Sequence, residues 1–287
     1  MIRLALRVRR EDAELVLAEL ADLAPSGVEE RDLGATIEYA VYGTPGELPT
    51  LPAFEAAIGD ALVEVHGEEV ADDWADRWRA FHRPVLIAER LHVRPPWSPP
   101  YDGPGADRVR ELVVDPGQAF GTGGHGTTRL CLELLVALDG GARGPVLDLG
   151  CGSGVLAIAA AQLGRGPVLG LDHEAASVRA TVDNAAVNGV TVAAERFDLL
   201  RDGAARLPAG DGPTLVLANL LRPLLLRVAA DGFRDADGAP HVPDALIASG
   251  LLVHEADEVA AAFSRLGLTE ADRRDDGEWA ALLLRRA

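Results

Sequence analysis

The sequence predicts an α/β protein, a doubly wound and mostly parallel seven-stranded Rossmann-like sheet preceded by a small ferredoxin-like α+β domain. Three observations carry this. From about residue 111 onward, short apolar runs alternate with helically spaced stretches, the pattern of a parallel sheet covered on both faces. One of those runs, 146–154, closes in a glycine-rich turn and opens a helix. The first 66 residues read in the order β-α-β-β-α-β, the split βαβ pattern.

The small domain comes first. Residues 2–9 alternate as a strand does, and 11–23 carry helical spacing through Ala13, Val16, Leu20 and Leu23. Segments 26–31 and 35–42 read as a strand pair across a glycine turn, 50–60 as a second helix and 61–66 as a last strand. The domain is drawn at 1–68. A Trp-bearing charged stretch, DDWADRWRAFHRP at 72–84, reads as a linker helix stopped by Pro84, with the linker as a whole at 69–84. The large domain, 85–287, opens with one strand at 85–94 and the proline- and glycine-rich surface loop PPWSPPYDGPG. Then follow strands at 145–150, 168–172, 214–220, 245–250 and near 278–286. Helices at 154–163, 174–188, near 222–230 and at 254–266 alternate with them.

Composition narrows the function classes. The chain has 287 residues, 48% of them hydrophobic, enough for a substantial core. Its net charge of −18 disfavours nucleic acid, whose phosphates need clustered basic residues, and suits a basic partner. No apolar run approaches a membrane span, and the opening MIRLALRVRREDAEL is too interrupted by charge for a secretory signal. The two cysteines, Cys131 and Cys151, lack metal spacing or an evident partner, so neither zinc nor a disulfide is expected, and the expected location is cytoplasmic. The histidines show no metal spacing either.

VLDLGCGSG at 146–154 is the strongest single motif. Glycines at 150, 152 and 154 let the backbone turn tightly and approach a ligand. The spacing is GxGxG rather than the GxGxxG of dinucleotide sites. Asp148 precedes the first glycine by two residues, and Asp172 ends the next strand, where a carboxylate can accept both ribose hydroxyls of an adenosine. S-adenosylmethionine is a cation with no pyrophosphate, and a charge such as that of Asp148 suits it. Another nucleotide or a plain tight turn are the competing readings. Asp198, after the third strand, could face an adenine amine or be a solvated loop acid.

Two further elements stand out. DPGQAFGTGGHGTTRL at 115–130 is a backbone-rich loop with an exposed-looking Phe120, and its Thr127 and Thr128 are placed to cap a helix over 129–138. In LVLANLLRP at 215–223, Asn219 follows a buried strand at the edge where doubly wound sheets bind ligands. It is either a turn residue or an acceptor. As an acceptor, its side-chain carbonyl and the backbone carbonyl of Leu220 would take hydrogen bonds from an amine nucleophile.

Together these strings resemble the ribosomal protein L-11 methyltransferases (PrmA-like), class I S-adenosylmethionine-dependent enzymes. The resemblance covers most of the chain: the N-terminal unit in pattern, the Trp-rich linker, DPGQAFGTGGHGTTRLCLELL, VLDLGCGSGVLAIAA, VLGLD, DNAAVNGV, LANLL and EWAALLLRR. It implies that Thr128, Gly150, Asp172 and Asn219 contact S-adenosylmethionine, with Asp148 and Gly152 beside them. It implies that Phe120, Thr122, His125 and Thr127 line the cofactor and acceptor pocket. It also implies that the small domain recognises the protein substrate, ribosomal protein L-11. The family usually reads GTGTHPTT where this chain has GTGGHGTT, so Gly124 and Gly126 loosen the loop and could alter acceptor choice.

The expected chemistry is in-line displacement of the sulfonium methyl by a neutral amine, a lysine side chain or an N-terminus. Asn219 and Leu220 would orient the nitrogen, and His125 would shape the pocket or relay a proton. The 72–84 linker would act as a hinge that presents several amines to one site. The alternatives are the same chemistry on another protein or a small amine, a non-catalytic S-adenosylmethionine-binding protein, and an oxidoreductase binding NAD at 148–172. The missing GxGxxG argues against the last.

Overall fold

The computed structural model describes residues 2–13, 16, 29–43, 62–69, 83–115, 125–138 and 143–287. The chain divides into two compact units, Met1–Phe81 and His82–Ala287.

In the first unit, β1 (Ile2–Arg9), β2 (Glu29–Asp32), β3 (Thr36–Gly43) and β4 (Leu62–Glu69) form one sheet in the order β2-β3-β1-β4. Every neighbouring pair is antiparallel, as a split βαβ arrangement requires. Leu4, Leu6 and Val8 alternate along β1 into a core that also holds Val16, Ile37 and Tyr39. The Tyr39 hydroxyl donates to the Ala13 carbonyl at 3.0 Å, which satisfies the polar end of a buried ring. Of the expected 11–23 helix, a 3-10 turn at Arg10–Asp12 with helical Ala13 and Val16 is described. The rest of that helix, the helix at 50–60 and nearly all of the linker helix lie outside the described residues.

The second unit opens with a hairpin where one strand was expected over 85–94. β5 (Val85–Ile87) and β6 (Leu91–Arg94) pair antiparallel across a turn in which Ala88 and Glu89 take φ of 46° and 53°. A turn with two left-handed residues ordinarily advertises itself with Gly or Asn, and neither is present. β7 (Arg110–Val113), which the alternation did not flag, pairs parallel to β6. Glu111 on β7 accepts from Arg94 Nε at 2.6 Å and from the Tyr101 N–H at 2.9 Å, with His92 Nδ1 at 3.1 Å, and so holds the proline-rich loop. Burial opposes ionisation of Glu111, but these three partners outweigh it and keep its carboxyl below the usual range.

The large sheet contains β8 (Val146–Leu149), β9 (Val168–Asp172), β10 (Ala193–Arg196), β12 (Leu215–Asn219), β15 (Ala245–Leu252), β16 (Leu268–Asp276) and β17 (Trp279–Arg286). Two-residue strands β11 (Ala205–Arg206), β13 (Phe233–Arg234) and β14 (Pro240–His241) form a separate small sheet. The large sheet runs β10-β9-β8-β12-β15-β17-β16, parallel through β15. β17 is antiparallel to both of its neighbours. Its helices are α1 (Gly126–Ala137), α2 (Val155–Gln162), α3 (Ala175–Val187), α4 (Arg222–Asp231) and α5 (Ala256–Ser264).

β8 is wholly buried, as a central strand covered on both faces must be. Val146 joins the core beneath α1 and α2, while Leu147 and Leu149 join the core beneath α4 and α5. By strand alternation, Asp148 shares the α1/α2 side. The charged edge strand β16 was not expected. Its apolar content is small because only one flank pairs, and its charges guard the open edge. Among the described residues, no helix is long and apolar enough to cross a membrane.

Candidate cofactor and active site

Strand order reverses at the β8/β12 boundary: the chain winds outward through β9 and β10 on one side and through β15 on the other. That switch point is where open α/β sheets bind ligands, at the carboxyl ends of the strands. The loop after β8 and Asn219 at the end of β12 flank it.

Glycines 150, 152 and 154 all have positive φ, which explains the residue choice in the loop. A Cβ at Gly150 would come within 2.5 Å of Leu220 Cδ2, so the close approach of the two loops depends on glycine there. Asp172 is nearly buried at the tip of β9. Its Oδ2 accepts from the Gly152 N–H and its Oδ1 from the Glu174 N–H, both at 3.0 Å. Asp148 is fully buried beneath the loop. Its Oδ2 accepts from the Ala157 N–H at 3.0 Å, and its Oδ1 has no hydrogen-bond partner among the described residues. Burial pushes its carboxyl up to about 7; the bond from Ala157 opposes that shift and the charge of Asp172 adds to it.

A cleft of about 290 Å³ opens over these groups. Leu149, Leu171, Phe197, Leu199 and Leu220 give it apolar walls, and Asp172 and Asp198 stand in its lining. The sequence leaves Asp198 open between an acid facing an adenine amine and a loop acid. Its Oδ1 accepts from the Leu200 N–H at 2.9 Å and its Oδ2 pairs with Arg201 at 3.3 Å, so its carboxylate closes its own turn. Sequence spacing alone did not flag Phe197, Leu199 or Leu224, because apolar side chains beyond a strand end look like ordinary core.

On the other flank, Asn219 Nδ2 donates to the Thr128 hydroxyl at 3.2 Å, linking residues 91 positions apart. With its amide nitrogen engaged, its carbonyl oxygen is left as an acceptor. Thr127 and Thr128 do not cap α1 as expected; both sit buried in its first turn. The cap is His125, whose Nδ1 lies 2.8 Å from the Thr127 hydroxyl and 3.4 Å from the Thr127 N–H. The helix starts three residues earlier than the apolar spacing suggested, because the cap is an imidazole. The His125 ring meets Trp279 edge-on at 5.0 Å. A Cβ at Gly126 would lie 2.9 Å from an Asp276 carboxylate oxygen, so that acid occupies space a larger residue would need. Phe120 and Thr122 lie outside the described residues.

Leu220 is buried, and its N–H donates to the Ser249 carbonyl at 2.9 Å. Gly250, with φ of 83°, faces this peptide; a Cβ there would come within 2.5 Å of the Leu220 carbonyl oxygen. Gly250 was read only as the end of a strand. Its signal was faint, since a glycine ending a buried run is common.

The seven-stranded order with its reversed β17, the glycine loop over β8 and the acid ending β9 define a class I methyltransferase fold. The profile of the family described as Ribosomal protein L11 methyltransferase (PrmA) matches residues 48–287. The chain belongs to that family, whose members use S-adenosylmethionine. It is 36% identical to the ribosomal protein L11 methyltransferase of Bordetella parapertussis over 98% of both chains. It is 44% identical to that of Geobacter metallireducens over 74% of this chain and 66% of the relative. The crystal structure of a ribosomal protein L11 methylase from Lactobacillus delbrueckii subsp. bulgaricus superposes with a TM-score of 0.59 at 28% identity. That match covers 71% of this chain and 98% of the other.

Proposed function

We propose that this chain transfers methyl groups from S-adenosylmethionine to amines of ribosomal protein L11, lysine side chains or the N-terminal amine. The observation that carries the reading is the Asn219–Thr128 hydrogen bond at the switch point, which orients the asparagine amide and reserves its carbonyl oxygen for an amine. The names of the full-length relatives support the substrate.

The residues present suit the donor. The cleft beside the glycine loop is apolar along its walls, with the acids Asp172 and Asp198 in its lining. Asp172 Oδ2 keeps a second lone pair beyond its backbone bond, and Oδ1 has His173 Nδ1 at 3.4 Å besides its own, so this strand end offers acceptors for ribose hydroxyls. In this reading Thr128, Asp148, Gly150, Gly152, Asp172 and Asn219 hold the donor, with the Asp198 turn beside the adenine. Phe120, Thr122, His125 and Thr127 border the acceptor.

Bound S-adenosylmethionine supplies a methyl group on a sulfonium, a good leaving group. The protein's task is therefore positioning and water exclusion. Leu149, Leu171, Leu220 and Leu224 keep the cleft dry, and a desolvated ammonium gives up its proton more readily. The Asn219 Oδ1 and the Leu220 carbonyl accept hydrogen bonds from the neutral amine and aim its lone pair.

Intact-mass spectrometry of recombinant L11 incubated with the protein and S-adenosylmethionine tests this. The expected result is stepwise gain of methyl groups, slowed about 100-fold in Asn219→Ala at saturating donor. An undiminished rate in that variant sinks the role of Asn219. No gain with the wild type, donor binding being confirmed separately, redirects the chemistry to another protein or a small amine.

A further inference from the structure

Helix α3 carries a polar seam, Thr181, Asn184 and Asn188, on one face at spacings of three and four. The Thr181 hydroxyl donates to the Gly152 carbonyl at 3.1 Å. Asn188, just past the helix end, grips β7 and not the glycine loop: its Oδ1 accepts from the Val113 N–H at 2.8 Å and its Nδ2 donates to the Val113 carbonyl at 2.6 Å and to the Asn184 carbonyl at 2.8 Å. Between them, Asn184 reaches both ways. Its Nδ2 donates to the Ser153 carbonyl at 2.9 Å, and its Oδ1 accepts from the Asp115 N–H at 3.1 Å.

Ser153 sits between two glycines with left-handed backbones, so the 152–154 peptides have little intrinsic stiffness. Asn184 and Ser153 are both buried, so water does not compete for this hydrogen bond. Asp172 and Thr181 hold Gly152, and the Asn184 side chain holds the next peptide, anchored at its other end to the exit of β7.

We propose that Asn184 is a positioning residue for the donor site: it sets the glycine loop by clamping Ser153 to the segment after β7. The proposal rests on the function argued above. Without the clamp, the Ser153 peptide loses its tie to α3 while Gly152 keeps its own, so the loop is less well set for the donor and donor binding weakens. The chemical step is spared, because Asn184 touches no reacting atom.

The test uses the full chain and its Asn184→Leu and Asn188→Leu variants. Calorimetry with S-adenosylhomocysteine gives Kd, and L11 methylation gives kcat and the KM for S-adenosylmethionine. Asn184→Leu is expected to raise Kd and KM about tenfold, with kcat at saturating donor within about threefold of wild type. Asn188→Leu should leave Kd within about twofold. A wild-type Kd in Asn184→Leu overturns the proposal. So does an equal loss in Asn188→Leu, which would trace the effect to β7 packing. If Asn184→Leu does not fold, Asn184→Asp keeps the acceptor for Asp115 and removes the donor to Ser153; a wild-type Kd in that variant likewise overturns the proposal. A wild type that binds no S-adenosylhomocysteine brings down the functional reading itself. Normal wild-type binding with unaffected variants brings down only the role of Asn184.

Discussion

At Asp148 a carboxyl is sealed under the glycine loop with one oxygen unbonded, and its pKa of about 7 lies well above that of the unfolded chain. The unfolded chain therefore releases its proton first. The stability this group contributes is complete below about pH 4 and is lost as pH rises to about 7. Thermal melts from pH 5 to 8 should show Asp148→Asn gaining on the wild type as pH rises, by on the order of 5 °C; parallel profiles would remove the titration from Asp148. The same burial governs the cysteines. Burial first, then the Asp148 charge, pushes the Cys151 thiol up to about 12 and the Cys131 thiol higher still. Iodoacetamide at pH 8 is expected to leave both unlabelled in the native protein and to label both in denaturant. Native labelling of Cys151 would mean that the loop opens.

Among the elements, the junction of β12 and β15 bears most directly on the chemistry. β12 ends in Asn219 and Gly250 lies two residues before the end of β15, and the two strands are paired in parallel up to Asn219 opposite Ser249. The Ser249 hydroxyl donates to the Ala280 carbonyl at 2.8 Å, which ties this junction to β17. Gly250→Ala would force a left-handed alanine against the Leu220 peptide. The expected cost is about 1–3 kcal/mol of stability and a loss of kcat of about tenfold or more, with Kd for S-adenosylhomocysteine changed less. Denaturant melts and single-donor kinetics check both numbers, and wild-type kcat would show that the Leu220 carbonyl has no part in orienting the amine. α1 is the matching element on the other flank, since its first turn supplies Thr128 to Asn219 and its His125 cap meets Trp279.

For the whole molecule, the donor-side groups all lie within His82–Ala287, a unit with its own core on both faces of the sheet. The small unit is expected, from the family resemblance, to serve acceptor recognition. A chain reduced to residues 82–287 is therefore expected to bind S-adenosylhomocysteine with a Kd within about threefold of the full chain, while its L11 methylation falls by about 100-fold or more. Undiminished L11 methylation by the shortened chain would take acceptor recognition away from the first unit.

Periodicity and local chemistry are encoded over short stretches, and these the sequence by itself determined. Near-continuous apolar runs marked β8, β9, β12 and β15 because central parallel strands are buried on both faces. The GxGxG spacing marked the loop, and Asp172 and Asn219 were legible because strand ends in such sheets are where ligands bind. What depends on partners distant in the chain was decided only by the tertiary structure. The hairpin at Ala88–Glu89 and the charged edge strand β16 carry no local signal of their own. The unbonded state of Asp148 Oδ1 and the turn-closing bonds of Asp198 are set by the folded geometry around each carboxylate, and the meeting of Asn219 with Thr128 and the clearance at Gly250 arise from contacts across 91 and 30 positions. A hydrogen bond or a steric gap between such residues has no period to read. It exists only once the strands have set the register that brings the two sides together.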